Sequence, residues 1–528
     1  MRTWFDKLTG KNKPPRFTKN WDPEREAIYH WMGVWQRSQN REEMALPDEP
    51  PAEEESLRWA PGALDGTLAW HTGQPDDVRQ KVALIMHVLQ AVLAVPSDAP
   101  AMKSLYSLLN EGYPLSYIDA LLQEIANTRT ISAERLRWFA EWLATQAPDR
   151  NVVKVAMALL VFFPGDRSVS ILTTLGGHDE FTLYAVVALR AMLSQEEYAQ
   201  IWFTLAQRAE GWGRIHLIER LPTPLPEEVR HWLLRKGYNN TVMNEYTAWH
   251  CASSGDLPRA LQEEQDEALL LGAAGIIQAL IAGGPARDMR NYDDNHLLCT
   301  RWLQRIHPLP PADLHYYLCA SAIANWAARQ AEEDTDNTPH WLDLRHNAVD
   351  ILANPGWAEC IAQEFDQPDW SRFYLAVQAS QCRGEDPWTK VYERQLHFPD
   401  ESHWYTLLQT HARERATMVQ VLAEQQLNLA QIASGPSLES GIGDGWHDHH
   451  VLDGILYGLQ RFPGVGWSLV DAGLYSPLIH NRSVALQVLE AWALPDDTRW
   501  RLEHLLRLEP DDELRLRISE QLATLSAA

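Results

Sequence analysis

Residues 132–166 read SAERLRWFAEWLATQAPDRNVVKVAMALLVFFPGD, and two helices with their own start and stop signals fit inside this stretch. Ser132 opens the first, in which Leu136, Phe139, Ala140, Leu143 and Ala144 recur at helical spacing as far as Ala147. Asp149 stands where it can cap the second, whose Val152, Val155, Ala156, Leu159 and Leu160 share one face until Pro164 and Gly165 break it. Asp166 restarts the chain. The same grammar runs on to Gly237. Ser194 and Glu197 form a capping box ahead of Tyr198, Ile201, Trp202 and Leu205, with Gly211 as the expected stop. Pro226, Glu227 and Glu228 then begin a segment carrying Val229, Trp232 and Leu233, which Gly237 closes.

Helices of this length joined by turns of a few residues pack as antiparallel neighbours. Roughly a dozen to twenty such patterns follow one another along the chain with almost no strand signal, which predicts an all-α solenoid. Two helices with their turns consume roughly 30 to 45 residues, the range of the HEAT, armadillo and tetratricopeptide classes. No W-x-x-L-G-x-x-Y spacing points to tetratricopeptides, and no T-P-L-H points to ankyrins. Leu494-Pro495-Asp496-Asp497 and Glu509-Pro510-Asp511-Asp512 each precede a helix near the C-terminal end, and Gln74-Pro75-Asp76-Asp77 opens an early one. In each, proline stiffens the approach while the aspartates satisfy free N–H groups and complement the positive helix end.

On these features residues 70–525 resemble HEAT-like α-helical repeat proteins, and Gly211 to Leu221, GWGRIHLIERL, is similar to a stretch in uncharacterised bacterial solenoid proteins. The resemblance implies a right-handed α-solenoid of HEAT/armadillo-like antiparallel helix pairs that holds a protein partner on its concave face. Some of those solenoid proteins carry hydroxylase-type labels, but here no cysteine sits in a Gly-rich, arginine-flanked loop of the kind that ligates haem. The expected organisation is an N-terminal region over 1–70, helical repeats over 71–310, and further repeats over 311–528. The N-terminal region joins three parts. Arg2, Lys7, Lys11, Lys13, Arg16 and Lys19 surround Trp4, Phe5 and Leu8 in a basic tail suited to an acidic partner or a membrane surface, or to folding back on the acidic body. A helix opened by Asp22 and Pro23 follows, and then a Glu- and Pro-rich stretch from Gln39 to Pro61 is expected to be a mobile linker.

The 71 acidic against 46 basic side chains give a net charge of −25, which repels phosphate backbones and argues against nucleic acid. A basic or mixed protein partner suits that charge. The 23 tryptophans are read as rigid wedges between helices. Five cysteines, Cys251, Cys299, Cys319, Cys360 and Cys382, lie far apart without C-x-x-C and are expected to be reduced and buried. Residues 1–19 have no continuous apolar core, so no secretory signal is read there. Residues 268–284 are apolar but short for a membrane span, and their small residues suit a close-packed central helix. Cytoplasmic residence is the expectation.

Three constellations bear on chemistry. Gly176 to Phe181, GGHDEF, looks like the G-G-D-E-F signature of diguanylate cyclases, but a histidine is inserted and no strand pair surrounds it, so Asp179 is read as a helix cap. His447, His449 and His450, with Asp453, crowd a helix entrance; His447 and His450 lie at i and i+3, His449 and Asp453 at i and i+4, offering two faces with two metal ligands each. A polar band holds Arg214, His216, Glu219 and Arg220 on one helix and Tyr238, Asn239, Asn244, Glu245 and Tyr246 about one helix later, followed by His250 and Cys251. Stacked helices bring such groups side by side, either to bind a partner or to tie neighbouring repeats together. The expectation is a non-catalytic protein-binding scaffold without a cofactor, in one version an inhibitor or immunity protein acting on a basic partner. The alternative is a metal-dependent hydrolase or oxygenase built on the His447 cluster.

Overall fold

The computed structural model describes residues 14–39, 41, 44–49, 59–71, 78–442, 444–493 and 498–527. The expectations placed on residues 1–13, on Gln74 to Asp77 and on Leu494 to Asp497 fall outside these residues. Among the described residues every regular element is helical, and the β pairing consists of one isolated parallel bridge between Glu439 and Leu478. No described helix is long and apolar enough to cross a membrane.

The described residues form two compact units. The first runs to Asn354, leaving out 311–314; the second takes 311–314 and everything from Pro355 onward. The division therefore falls well after residue 310, because the Thr338–Leu352 helix packs on Asn295–Ile306. His296 meets Trp341 edge-on there, with centroids 5.2 Å apart.

In the first unit many helices touch a neighbour in sequence and, in places, the helix two places along. One row so formed is Arg150–Leu159, Asp179–Met192, Trp212–Ile218, Glu245–Gly255 and Glu267–Ala282. Helices in such a row are enclosed on several sides, which explains a departure from the one-face pattern. In Arg150–Leu159 every residue from Val152 to Leu159 is buried, Lys154 included. Glu267–Ala282 is the expected close-packed helix: a Cβ on Gly272 would lie 2.0 Å from the Leu234 carbonyl oxygen, and one on Gly275 2.4 Å from the Tyr238 hydroxyl. Small residues are needed where backbones and rings approach this closely.

The capping signals divide. Ser132 accepts from the Arg135 amide, and Ser194 with Glu197 makes both bonds of the capping box. Asp149 sits at the N-cap of its helix but spends its carboxylate elsewhere, on the Arg25 guanidinium at 2.8 and 3.2 Å and on the Tyr106 hydroxyl. Gly211 starts the Trp212–Ile218 helix instead of stopping the preceding one, which ends at Ala206. Parts of the N-terminal region are packed rather than free. Phe17 lies against Phe139 and Trp142, Leu46 is buried, and Arg150 pairs with Asp48 and Glu49.

In the second unit the corresponding row is Trp404–Leu408, His447–Leu459, Ile479–Ala491 and Asp512–Ala527. Arg482 is wholly buried in it. Its guanidinium donates to both Glu509 oxygens and to the carbonyls of Ser437, Ser476 and Pro477, so all five N–H groups are satisfied. Asp511, from the same Glu509-Pro510-Asp511-Asp512 run, accepts from the Leu514 amide as expected of a cap.

Tryptophan recurs in one role across both units. The indole N–H groups of Trp202, Trp302, Trp388 and Trp492 donate to the carbonyls of Leu217, Leu270, Leu407 and Leu459 on neighbouring helices, at 2.9, 3.1, 2.9 and 3.1 Å. A buried indole needs such an acceptor, and here it also fastens two helices. Of the cysteines, Cys251, Cys299, Cys319 and Cys360 are buried, whereas Cys382 is exposed, contrary to expectation. Cys382 sits on the last turn of Trp370–Cys382, where the chain leaves the core.

Candidate functional site

The His447 cluster does not assemble. His447 is exposed beside a cleft of about 220 Å³. His449 is buried edge-on against Trp446, with centroids 4.9 Å apart, and burial lowers its pKa. His450 donates from Nε2 to the Gly441 carbonyl at 2.9 Å. Asp453 accepts from the Asn481 side-chain amide at 2.6 Å and lies 3.7 Å from His480. Three of the four side chains thus turn to three different neighbours and the fourth, His447, to an open cleft, and among the described residues no three of His, Cys, Asp or Glu are placed to hold a metal ion. Helical spacing put two ligands on each of two faces; packing pulled the members of each pair apart.

The polar band does come together, largely as cross-bracing. Arg214 donates from Nη1 to the Asn239 carbonyl at 2.5 Å and lies over the Trp232 ring. Asn244 accepts from the Asn240 amide at 3.0 Å, and Asn240 in turn donates to Met243 and Thr247. His216 is fully buried, 3.5 Å from Glu219, so it has no surface to offer a partner. Glu219 also takes a hydrogen bond from Arg220 at 2.8 Å. Tyr238 is half-buried against Gly275, and burial raises its pKa. Glu245 borders the Gly284 turn, and Tyr246 packs against Trp212 with centroids 5.3 Å apart.

Tyr246 also opens onto a feature the sequence reading missed. Past the end of Glu267–Ala282, Gly283 and Gly284 adopt φ of 74° and 126°, conformations that favour glycine, and turn the chain back over Glu245–Gly255. A short 3₁₀ turn, Met289–Asn291, follows with its own capping box between Asp288 and Asn291. It is held to the helix by the Trp249 indole donating to the Asn291 carbonyl at 3.0 Å. The result is a cleft of about 460 Å³ lined by Tyr246, Trp249, His250, Arg287 and Asn291. The Arg287 guanidinium lies over the Trp249 ring, 4.3 Å from its centroid. Among the described residues it has no hydrogen-bond or ion-pair partner. His250 stands edge-on to Trp249 at 5.3 Å, and its pKa is lowered by burial and by Arg287, with Glu219 opposing. The signal that could have found this site is the Gly283-Gly284-Pro285 run ahead of Arg287, read above only as the tail of an apolar helix.

The GGHDEF run forms a packed junction. His178 accepts from the Glu180 amide at 3.3 Å and is the N-cap of Asp179–Met192. Asp179 accepts from the Gly211 amide at 2.7 Å and so bridges to the start of the next helix of its row. Glu180 takes the Gly62 amide at 2.8 Å and the Lys154 ammonium at 2.5 Å. Burial lowers the His178 pKa to about 4 and raises that of Asp179 to about 6, against ordinary values of 6.5 and 3.8.

Over its described residues the chain is an all-helical protein of stacked helices. No protein-family model and no curated protein matches it. Among solved structures it is similar to a circular tandem repeat protein with novel repeat topology and enhanced subunit contact surfaces, at 13% identity over 85% of this chain and 96% of that one, with a TM-score of 0.13. At that TM-score the architecture rests on the helices described above.

Proposed function

We propose that this chain is a protein-binding helical-repeat scaffold of HEAT-like type, and that the cleft between Trp249 and Arg287 anchors its partner. The carrying observation is the Arg287 guanidinium stacked on Trp249 at the mouth of the cleft without a partner among the described residues. Arginine and aromatic residues in a preformed concavity are the side chains that concentrate binding energy, and the volume falls in the range of ligand pockets. Of the residues chosen from the sequence as partner contacts, Tyr246 lines this cleft, while Glu245 lies against Gly284 and the charge of Glu219 acts on His250. Arg214, Asn239 and Asn244 are taken up by hydrogen bonds to neighbouring segments, and His216 is buried.

The net charge of −25 supports a partner whose remaining surface is neutral or basic, and an inhibitor or immunity role is the version of this reading that uses the charge most fully. The metal-dependent alternative gains no support from side chains that diverge. The test is a display selection of random peptides against the wild-type protein and Trp249→Ala. Peptides retained by the wild type and released by the variant are expected; a wild-type protein that enriches nothing dependent on Trp249 would remove the cleft from consideration.

A further inference from the structure

Resting on that reading of the cleft, we infer that it captures the free C-terminal carboxylate of a partner chain. A guanidinium lying over an aromatic ring keeps its N–H edge available, and that planar fork matches a carboxylate through two parallel hydrogen bonds. Arg287 is in this state, 4.3 Å above Trp249. A second donor stands nearby. The Asn291 side-chain oxygen accepts from the Asp288 amide at 3.1 Å, which leaves its NH₂ group without an acceptor among the described residues. The Asp288 carboxylate accepts from the Arg290 amide at 2.9 Å in the capping box, and among the described residues it makes no ion pair with Arg287. The loop is fixed from two sides, by Trp249 on the Asn291 carbonyl and by the buried Tyr292, so the fork is held in place before any ligand arrives.

Charge selects a single carboxylate over an acid-rich segment. Glu245 borders the loop at Gly284, the field of Glu219 reaches His250, and the whole chain carries −25. A segment rich in Asp or Glu meets repulsion from this surface. One carboxylate at the end of an otherwise neutral or basic chain gains the fork and keeps the attraction of the surroundings. Tyr246 and Trp249 then supply apolar walls for the last side chains of the bound segment.

The experiment uses the full-length protein and two random heptapeptide libraries, one displayed with a free C-terminus and one with its C-terminus blocked by fusion. Selected peptides are then titrated by fluorescence anisotropy as free acids and as amides. The expected result is enrichment from the free-terminus library, with at least tenfold weaker binding of the amide. Arg287→Gln, an exposed substitution with no packing to lose beyond the Trp249 face, should weaken the acid by a similar factor and leave the amide unchanged. Circular dichroism confirms that the variant is folded. Equal binding of acid and amide, or enrichment of internal acidic segments with blocked termini, overturns the terminus reading while leaving the cleft as a binding site. No Trp249-dependent enrichment from either library overturns both.

Discussion

Replacing Lys154 by methionine should destabilise the first unit by about 3–5 kcal/mol, the cost of removing one partner from a buried ion group. The residue is 2% exposed, and its ammonium lies 2.6 Å from Asp65 and 2.5 Å from Glu180. Burial works against the ammonium, yet Glu180 and Asp65 outweigh it and hold its pKa above the ordinary 10.5. The two carboxylates are themselves tied down. Asp65 accepts from the Tyr184 hydroxyl at 3.1 Å and Glu180 from the Gly62 amide, so neither can swing out to water when the lysine is gone. Methionine fills most of the volume, which leaves the charge that Arg150, 3.9 Å from Glu180, only partly offsets as the dominant loss. Because a domain is typically stable by only about 5–15 kcal/mol, the variant should sit near the edge of folding. The assay is urea unfolding of the full chain followed by pulse proteolysis, with fragments assigned to the first or second unit. The triple variant Asp65→Asn, Lys154→Met, Glu180→Gln removes the stranded charges and should recover at least half of the loss. A single variant within about 1 kcal/mol of wild type, or a triple variant no better than the single, would refute the account.

Three further outcomes follow from the packing. His178, held near 4 in place of 6.5, contributes stability that is present above pH 6.5 and lost as pH falls towards 4. Asp179, raised from 3.8 to about 6, contributes stability that is present below 3.8 and lost as pH rises through 6; at about 1.4 kcal/mol per pH unit each effect is worth about 3 kcal/mol and the two oppose one another. Relative to wild type, His178→Asn should therefore gain stability as pH drops from 6.5 to 4 in urea titrations, and parallel profiles would contradict the assignment. Gly272→Ala improves helix propensity by about 1 kcal/mol but drives a methyl into the Leu234 carbonyl, so a net loss of about 2 kcal/mol is expected in thermal melts, and a raised melting temperature would show that the helices are not in backbone contact. Excess zinc should leave the unfolding of the second unit unchanged; stabilisation abolished by His449→Leu would restore the metal reading.

What could be read from the sequence was whatever local chemistry decides. The Ser194 and Glu197 box and the apolar stripe of the 132–147 segment behave as their spacing implies, because a cap and a helical face are settled within a few residues. Asp149 shows where this stops: its side chain was claimed by Arg25, 124 positions away, a competition that no local pattern reveals. The same holds for the site. Helical spacing gathered the imidazoles of His447, His449 and His450 in sequence, whereas their partners Gly441 and Trp446 sit on the preceding turn and drew them apart. Arg287 was illegible for the opposite reason, since it sits in a loop while Trp249, over which it stacks, belongs to an earlier helix, and only the glycine turn brings them together.

The four indole hydrogen bonds limit how such a chain can change length. Two of them reach back 32 and 33 residues, from Trp302 to Leu270 and from Trp492 to Leu459, a span close to one helix pair. Three of the accepting carbonyls, those of Leu217, Leu407 and Leu459, lie in the last turn of their helices. One residue inserted into an accepting helix rotates that turn by roughly 100° and carries the carbonyl out of reach. Growth or shortening by single residues is therefore confined to the connecting turns. Gain or loss inside the stack must proceed by whole helix pairs, each arriving with its own tryptophan and the acceptor it needs.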